Sequence, residues 1–253
     1  MGKDGIAVAI VKPMYIYPMN YVFQEIKNVK TNSTYGYEAL LRPENGMDAQ
    51  TFVNARIAMG GEHQLELDTF FNATETFADL RIPGYLFINS MPNAVFTMQE
   101  SNVFIDKFGK EILARIVVEI LSYPAISRQS WYTKQMFMLK HDMMCAIDDF
   151  GAGLNMDFAS VQFYGPDIVK ISKNIIHEFT ENPQRIEYVK RTVGYLKDMG
   201  VKVLAEGIET VIEYEMLKEY GIDYAQGYYI GMPCMPDPPP FIEDGDTRKY
   251  TDY

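Results

Sequence analysis

Short apolar runs alternate along this chain with longer segments in which apolar residues recur every three or four positions. The runs are rich in Val, Ile, Leu, Phe and Tyr, and they predict strands over 21–26, 35–42, 85–90, 115–120, 143–149, 167–172, 201–206 and 223–230. Several stay apolar until their last residues, the pattern of strands covered on both faces. The longer segments predict helices over 48–59, 64–80, 128–141, 184–199 and 210–220. In 184–199, Ile186, Val189, Val193 and Leu196 share one face, with Lys and Glu opposite. Gly200 and Gly221 stand where those last two helices need a left-handed stop.

The first two strands leave no space for a helix between them, so they predict a hairpin through 30–34 and an antiparallel first strand. Beyond the hairpin, strand and helix alternate, which argues for a parallel sheet clothed by helices. Eight strands in this length favour closure into an α/β, TIM-like (β/α)8 barrel with an antiparallel first strand. The expected organisation is a lead-in over 1–20, of the kind that joins a barrel to an upstream domain, the barrel over 21–236, and an exposed tail over 237–253.

Composition narrows the function. The chain has 253 residues, 47% of them hydrophobic and 23% charged, so it can bury a core and is not a disordered polyelectrolyte. A formal net charge of −11 argues against long nucleic acid as a partner, which wants a basic face. A small anion remains possible if metal ions first neutralise the protein's own carboxylates. Cys145 and Cys234 lie in no CxxC or Cys/His cluster, so neither a thiolate zinc site nor a disulfide framework is expected, and a reducing, cytoplasmic compartment fits. No apolar run approaches the roughly 20 residues of a membrane helix, so no membrane contact is expected from this segment. The apolar stretch 5–11 lacks the basic leader of a signal peptide.

Polar residues recur at the downstream ends of the apolar strands: Glu38, Asn89, Glu119, Asp148 and Asp149, Lys170, Glu206 and Gln226. In a (β/α) barrel those ends surround one mouth, so residues distant in sequence converge. Singly, each has a plainer reading as a helix cap, a turn residue or a solvated charge. Together, carboxylates crowded on one mouth repel, and hard divalent cations with oxygen ligands are the economical counter-charge. An all-oxygen set with one Asn suits Mg²⁺ or Mn²⁺ rather than zinc. Two such ions sharing one aspartate, either Asp148 or Asp149, make the clamp used for phosphoester cleavage. Glu206 is then placed to hold or deprotonate a water, Lys170 to orient it, and Arg42 to offer phosphate a planar fork. His63, His141 and His177 fall away from the strand ends, and Trp131 reads as a packing or interface anchor.

These residues resemble the EAL family of cyclic di-GMP phosphodiesterases over about residues 24–233. The blocks follow in the family's order: Gly36-Tyr37-Glu38-Ala39-Leu40-Leu41-Arg42, Asn89-Ser90, Val118-Glu119-Ile120, Asp148-Asp149-Phe150-Gly151-Ala152-Gly153, Lys170-Ile171, Ala205-Glu206-Gly207-Ile208-Glu209-Thr210 and Gln226-Gly227-Tyr228. The resemblance implies hydrolysis of cyclic di-GMP to linear pGpG with two Mg²⁺ or Mn²⁺ ions. It implies Glu38, Asn89, Glu119 and Asp148 on the first ion, Asp148 bridging, Asp149 on the second with Glu206 close by, Lys170 on the attacking water, and Gln24, Arg42 and Gln226 on the dinucleotide. Homodimers are common among such domains, and one is compatible with this chain.

Four positions depart from the family's pattern. Ser122 stands where a loop-holding Glu is usual, Ser172 completes Lys170-Ile171 where an Asp is usual, Glu25 replaces the Pro after Gln24, and Pro43 replaces an aromatic after Arg42. None removes an implied metal ligand. Ser122 and Ser172 keep open a domain that binds cyclic di-GMP or a partner without cleaving. A hydrolase for another phosphodiester would use the same carboxylates without Gln24, Arg42 and Gln226.

Overall fold

Side chains alternate between the two faces of a strand, so in a closed sheet every second residue points into the barrel. The computed structural model describes residues 14–236 apart from 45, 153, 155, 156 and 178. The stretch 5–11, most of the lead-in, Gly153 and the tail from 237 lie outside the described residues. The strands are β1 (Asn20–Asn28), β2 (Thr34–Arg42), β3 (Tyr85–Ser90), β4 (Ile116–Ile120), β5 (Met144–Phe150), β6 (Ile168–Ile171), β7 (Lys202–Ala205) and β8 (Tyr224–Ala225). They close into one barrel in sequence order. As expected from the hairpin, β1 is antiparallel to β2, and it is also antiparallel to β8, while β2 through β8 run parallel.

The helices are α1 (Ala49–Ala58), α2 (Glu62–Asp79), α3 (Met98–Leu113), α4 (Arg128–Lys140), α5 (Phe158–Tyr164), α6 (Lys173–Ile176), α7 (Pro183–Asp198) and α8 (Val211–Tyr220). Five match the predicted periodic segments. Of the others, α3 opens on a capping box in which Thr97 and Glu100 satisfy each other's backbone N–H groups. Asp157 and Ser160 cap α5 in the same way. Trp131 is fully buried and meets Tyr164 edge-on at 4.8 Å between ring centroids, which makes it the packing anchor its sequence context suggests. Among the described residues no helix is long and apolar enough to cross a membrane.

The barrel interior is filled near its floor by Ile26, Phe87, Val117, Ala146, Ile168, Leu204 and Tyr224. Tyr35 stacks on Tyr224 at 3.9 Å and closes that end. Two residues further along β3 to β8, the same inward direction carries Asn89, Glu119, Asp148, Lys170, Glu206 and Gln226. On antiparallel β1 the step is backwards, from Ile26 to Gln24, and Gln24 lies opposite Glu38 of β2. One apolar layer thus places an entire polar layer above it.

The last strand is shorter than predicted. The run 223–230 keeps only Tyr224 and Ala225 in the sheet. Gln226 O then accepts from Ile208 N, and Ile208 O accepts from Tyr229 N, which draws the chain out of the ladder. A Cβ at Gly227 would lie 2.2 Å from Ile208 N and O, so only glycine fits this approach. Tyr228, Tyr229 and Ile230 form a turn despite their strand-like composition.

A buried ion pair fixes the end of β3. Glu66 of α2 accepts from Ser90 Oγ at 2.6 Å, from Met91 N at 3.0 Å and from Lys134 Nζ of α4 at 2.6 Å. Lys134 also donates to Met91 O at 2.8 Å. Neither charge has water to fall back on, so removing one strands the other. Lys134→Met is expected to lower the unfolding free energy in urea by about 3–5 kcal/mol. The double variant Glu66→Leu/Lys134→Met should recover part of that loss. A single variant as stable as the parent would show that the pair is not a fastening.

Candidate active site

The polar layer is organised around one ammonium group. Lys170 projects from the middle of β6 into the barrel and is fully buried. Its Nζ lies 2.7 Å from Glu119 Oε1, 2.8 Å from Glu206 Oε1, 3.0 Å from Asp148 Oδ1 and 3.4 Å from Glu38 Oε2. Asn89 donates its amide to Glu38 Oε1 at 3.3 Å. Gln226 donates to Glu38 Oε2 at 2.8 Å and to Gln24 Oε1 at 3.3 Å, while Gln24 donates to Gly231 O at 3.0 Å. Seven of the eight strand-end residues predicted to converge therefore meet in one connected group, with Gln24 joined at its edge and Asp149 outside it.

The neighbouring aspartates reach the mouth together because β5 is bulged. Ile147 pairs with Val169 and Phe150 with Ile171, so Asp148 and Asp149 both stand against the single residue Lys170. In a regular strand they would face opposite sides. The extra residue is Asp149, whose φ of 52° lies in the left-handed region that Asp tolerates better than most side chains. Both aspartates line a cleft of about 320 Å³ that also touches Glu38, Arg42 and Asn89. Arg42 is exposed at its lip and donates Nη1 to Leu41 O at 2.9 Å. A larger cavity of about 670 Å³ lies between α3 and α4. Its walls are largely apolar, and its Glu66 and Lys134 are engaged with each other, so it offers no rim for phosphoester chemistry.

Burial sets the electrostatics. Loss of water pushes the Glu119 carboxyl well above its ordinary value; the Glu38 charge adds to the rise and Lys170 opposes it. Glu206 is pushed up to about 8, again first by burial, with Lys170 opposing and Asp148 and Glu38 adding. Lys170 is driven in the stabilising direction, its burial outweighed by Asp148, Glu119, Glu206 and Glu38, which hold it protonated. One ammonium faces four carboxyl groups, and burial drives Glu119 and Glu206 toward their neutral forms.

Buried oxygen atoms remain unsatisfied here. Glu119 Oε1 and Oε2 and Asp148 Oδ1 have no aligned hydrogen bond, and their contacts with Lys170 are close ion pairs without good hydrogen-bond angles. Such orphaned, all-oxygen donors fit a hard divalent cation. Among the described residues, no three His, Cys, Asp or Glu side chains are arranged to close on a metal ion as they stand. Lys170 Nζ lies within hydrogen-bonding distance of three of the carboxylates.

One member of the site was not read as such from the sequence. Ser172, noted only as a departure, is fully buried and donates Oγ to Asp149 Oδ1 at 2.8 Å. Its position two residues after Lys170 was the available signal, since the β5 bulge brings Asp149 over the end of β6. Glu209 lies outside the group: it is exposed, and its backbone N–H donates to Glu213 Oε2 at 2.9 Å, within the capping of α8.

Known proteins resemble this chain in sequence and fold. Over 219 residues, 83% of this chain, the sequence is 23% identical to the probable cyclic di-GMP phosphodiesterase PdeD of Escherichia coli, covering 40% of that protein. The chain spans less than half the length of the curated relatives it matches. A standalone versatile EAL protein of Vibrio cholerae, solved in a c-di-GMP bound form, superimposes with a TM-score of 0.76 at 24% identity, covering 90% of this chain and 98% of that one. BlrP1 of Klebsiella pneumoniae, solved as a manganese and cyclic di-GMP complex, gives a TM-score of 0.74 at 23% identity, covering 86% of this chain and 56% of that one. The EAL domain family model matches residues 18–233, and the chain belongs to that family.

Proposed function

We propose that this domain hydrolyses cyclic di-GMP to linear pGpG with Mg²⁺ or Mn²⁺, and that the rim carboxylates hold two of these ions. The observation that carries the reading is the convergence of Glu38, Glu119, Asp148 and Glu206 on the single buried charge of Lys170. Relatives named as cyclic di-GMP phosphodiesterases and neighbours solved with that nucleotide favour the same substrate.

In this reading Glu38, Asn89, Glu119 and Asp148 would hold one cation, and Asp148, Asp149 and Glu206 would serve a second. When bound, the cations supply Lewis-acid polarisation of the phosphate and a more acidic water. The protein's own groups do the rest. Lys170 orients the attacking water and offsets charge building on the phosphoryl oxygens. Glu206, on the rim beside Lys170, takes the water's proton. The water oxygen bonds to phosphorus, the bond to the 3′ oxygen breaks, and a proton returns to that oxygen, leaving a 5′-phosphate and a free 3′-hydroxyl. Gln24, Gln226 and Arg42 hold the dinucleotide at the lip, where Arg42 meets a phosphate with a planar fork. In the cell this reading places the domain in the cytoplasm, acting alone or as a homodimer.

Purified protein with Mn²⁺ or Mg²⁺ is expected to convert cyclic di-GMP to pGpG by chromatography, and EDTA should stop it. Binding of the nucleotide without turnover under any of these ions, while an EAL relative turns over in the same buffer, would instead support the non-cleaving receptor that Ser122 and Ser172 keep open. Indifference to cyclic di-GMP with cleavage of another phosphodiester would reject the substrate. Asp148→Asn and Glu119→Gln should each lower kcat by about 10²–10³-fold, the scale of losing one preorganised electrostatic stabiliser. Arg42→Ala should raise KM more than it lowers kcat.

Lys170→Met removes the ammonium that four carboxylates share, so the variant should melt well below the parent in EDTA. Mn²⁺ should then raise its Tm by more than it raises the parent's. Equal shifts would show that the ions bind away from this rim.

A further inference from the structure

We infer that Ser172 is a positioning residue: its buried hydroxyl holds the Asp149 carboxylate so that the free oxygen faces the cation-binding rim. The inference rests on the proposed cation-dependent reading of the site and adds to it a residue that determines how Asp149 is presented.

Asp149 is an exposed residue in left-handed backbone, two residues before Gly151 at φ 85°. A short, exposed carboxylate on such a turn has several accessible rotamers, and one partner is needed to select among them. Ser172 supplies that partner from the neighbouring strand end. Its backbone N–H donates to Phe150 O at 3.2 Å, which ties residue 172 directly to the far side of the bulge. From this anchored backbone, Oγ reaches Asp149 Oδ1 at 2.8 Å. A hydroxyl has one proton to give, and in Ser172 it goes to Asp149.

Ser172 has a plainer role as well. It is the N-cap of α6, where Oγ accepts from Asn174 N at 3.4 Å. That contact is long and caps a helix of only four residues. The 2.8 Å contact to a carboxylate is short and charge-assisted, so it is the stronger of the two. A carboxylate at 172, usual in the family's pattern, accepts hydrogen bonds and would repel Asp149 unless a cation lay between them. The neutral hydroxyl orients Asp149 whether or not a cation is bound. The packing around the turn supports a fixed geometry. Gly151 lies against Ile175 of α6 so closely that a Cβ there would come within 2.2 Å of Ile175 Cδ1. The bulge, Ser172 and the start of α6 thus form one unit.

The test measures Mn²⁺ binding to the full, chelator-treated chain by titration calorimetry without nucleotide, alongside kcat, KM and thermal melting. The variants are Ser172→Ala, Ser172→Thr and Ser172→Val; Thr and Val match in shape and differ in the hydroxyl. Ser172→Ala and Ser172→Val are expected to bind the weaker Mn²⁺ about 10–100-fold less tightly, the usual cost of removing a group that orients a metal ligand. Ser172→Thr should bind like the parent, and the losses should fall on kcat rather than KM. Loss of the cap alone would lower Tm and leave Mn²⁺ affinity unchanged, which would overturn the inference. A folded Thr variant that binds as weakly as Val would also overturn it. A parent protein that binds no Mn²⁺ would reject the cation reading itself, and the role of Ser172 with it.

Discussion

Four carboxylates share one buried ammonium at the mouth of this barrel, and that imbalance constrains the rest of the structure. Charges taken out of water need partners at close range. Lys170 reaches all four only because β6 lies beside β5 and β7 and opens onto the shared interior, where β2 and β4 also deliver their glutamates. Burial raises the proton affinity of Glu119 and Glu206, while the surrounding acids keep Lys170 charged. The result is a pocket with four carboxyl groups around one ammonium and with buried oxygen atoms that lack aligned hydrogen bonds. In the proposed reading hard cations fill this pocket and bind, in turn, a phosphate that a bare acidic surface would repel.

The apolar layer below makes that arrangement possible. Phe87, Val117, Ala146, Ile168 and Leu204 fill the interior one side-chain step beneath Asn89, Glu119, Asp148, Lys170 and Glu206. A shift of register by one residue would turn each of these polar groups into the apolar space under the helices. Packing of the floor and convergence of the rim are therefore the same structural fact. The β5 bulge breaks the alternation at the mouth, and it brings a second aspartate where regular pleating would deny it.

Much of this is legible in the amino-acid sequence. Apolar runs ending in Glu, Asn, Asp or Lys located β3 to β7, and the missing helix between the first two runs implied the antiparallel hairpin. What escaped has physical reasons. Tyr228, Tyr229 and Ile230 look like strand, but the approach of Gly227 to Ile208 diverts them, and that contact is 19 residues away in sequence. The helix Met98–Leu113 carries a capping box that a search on apolar spacing passes over. Ser172 resembles a neutral substitution until the bulge sets it against Asp149, a contact made between strands. Local patterns reveal which face a residue takes; they do not reveal which partner waits there.

The central claim is that this rim, and no other part of the molecule, takes divalent cations together with a cyclic dinucleotide. A crystal structure of the protein soaked with Mn²⁺ and cyclic di-GMP, with anomalous scattering recorded for manganese, tests it most directly. The account predicts anomalous peaks within coordination distance of Glu119 and Asp148, with the nucleotide phosphate against them. Manganese on outer acidic helices, with the rim still closed around Lys170, would contradict it.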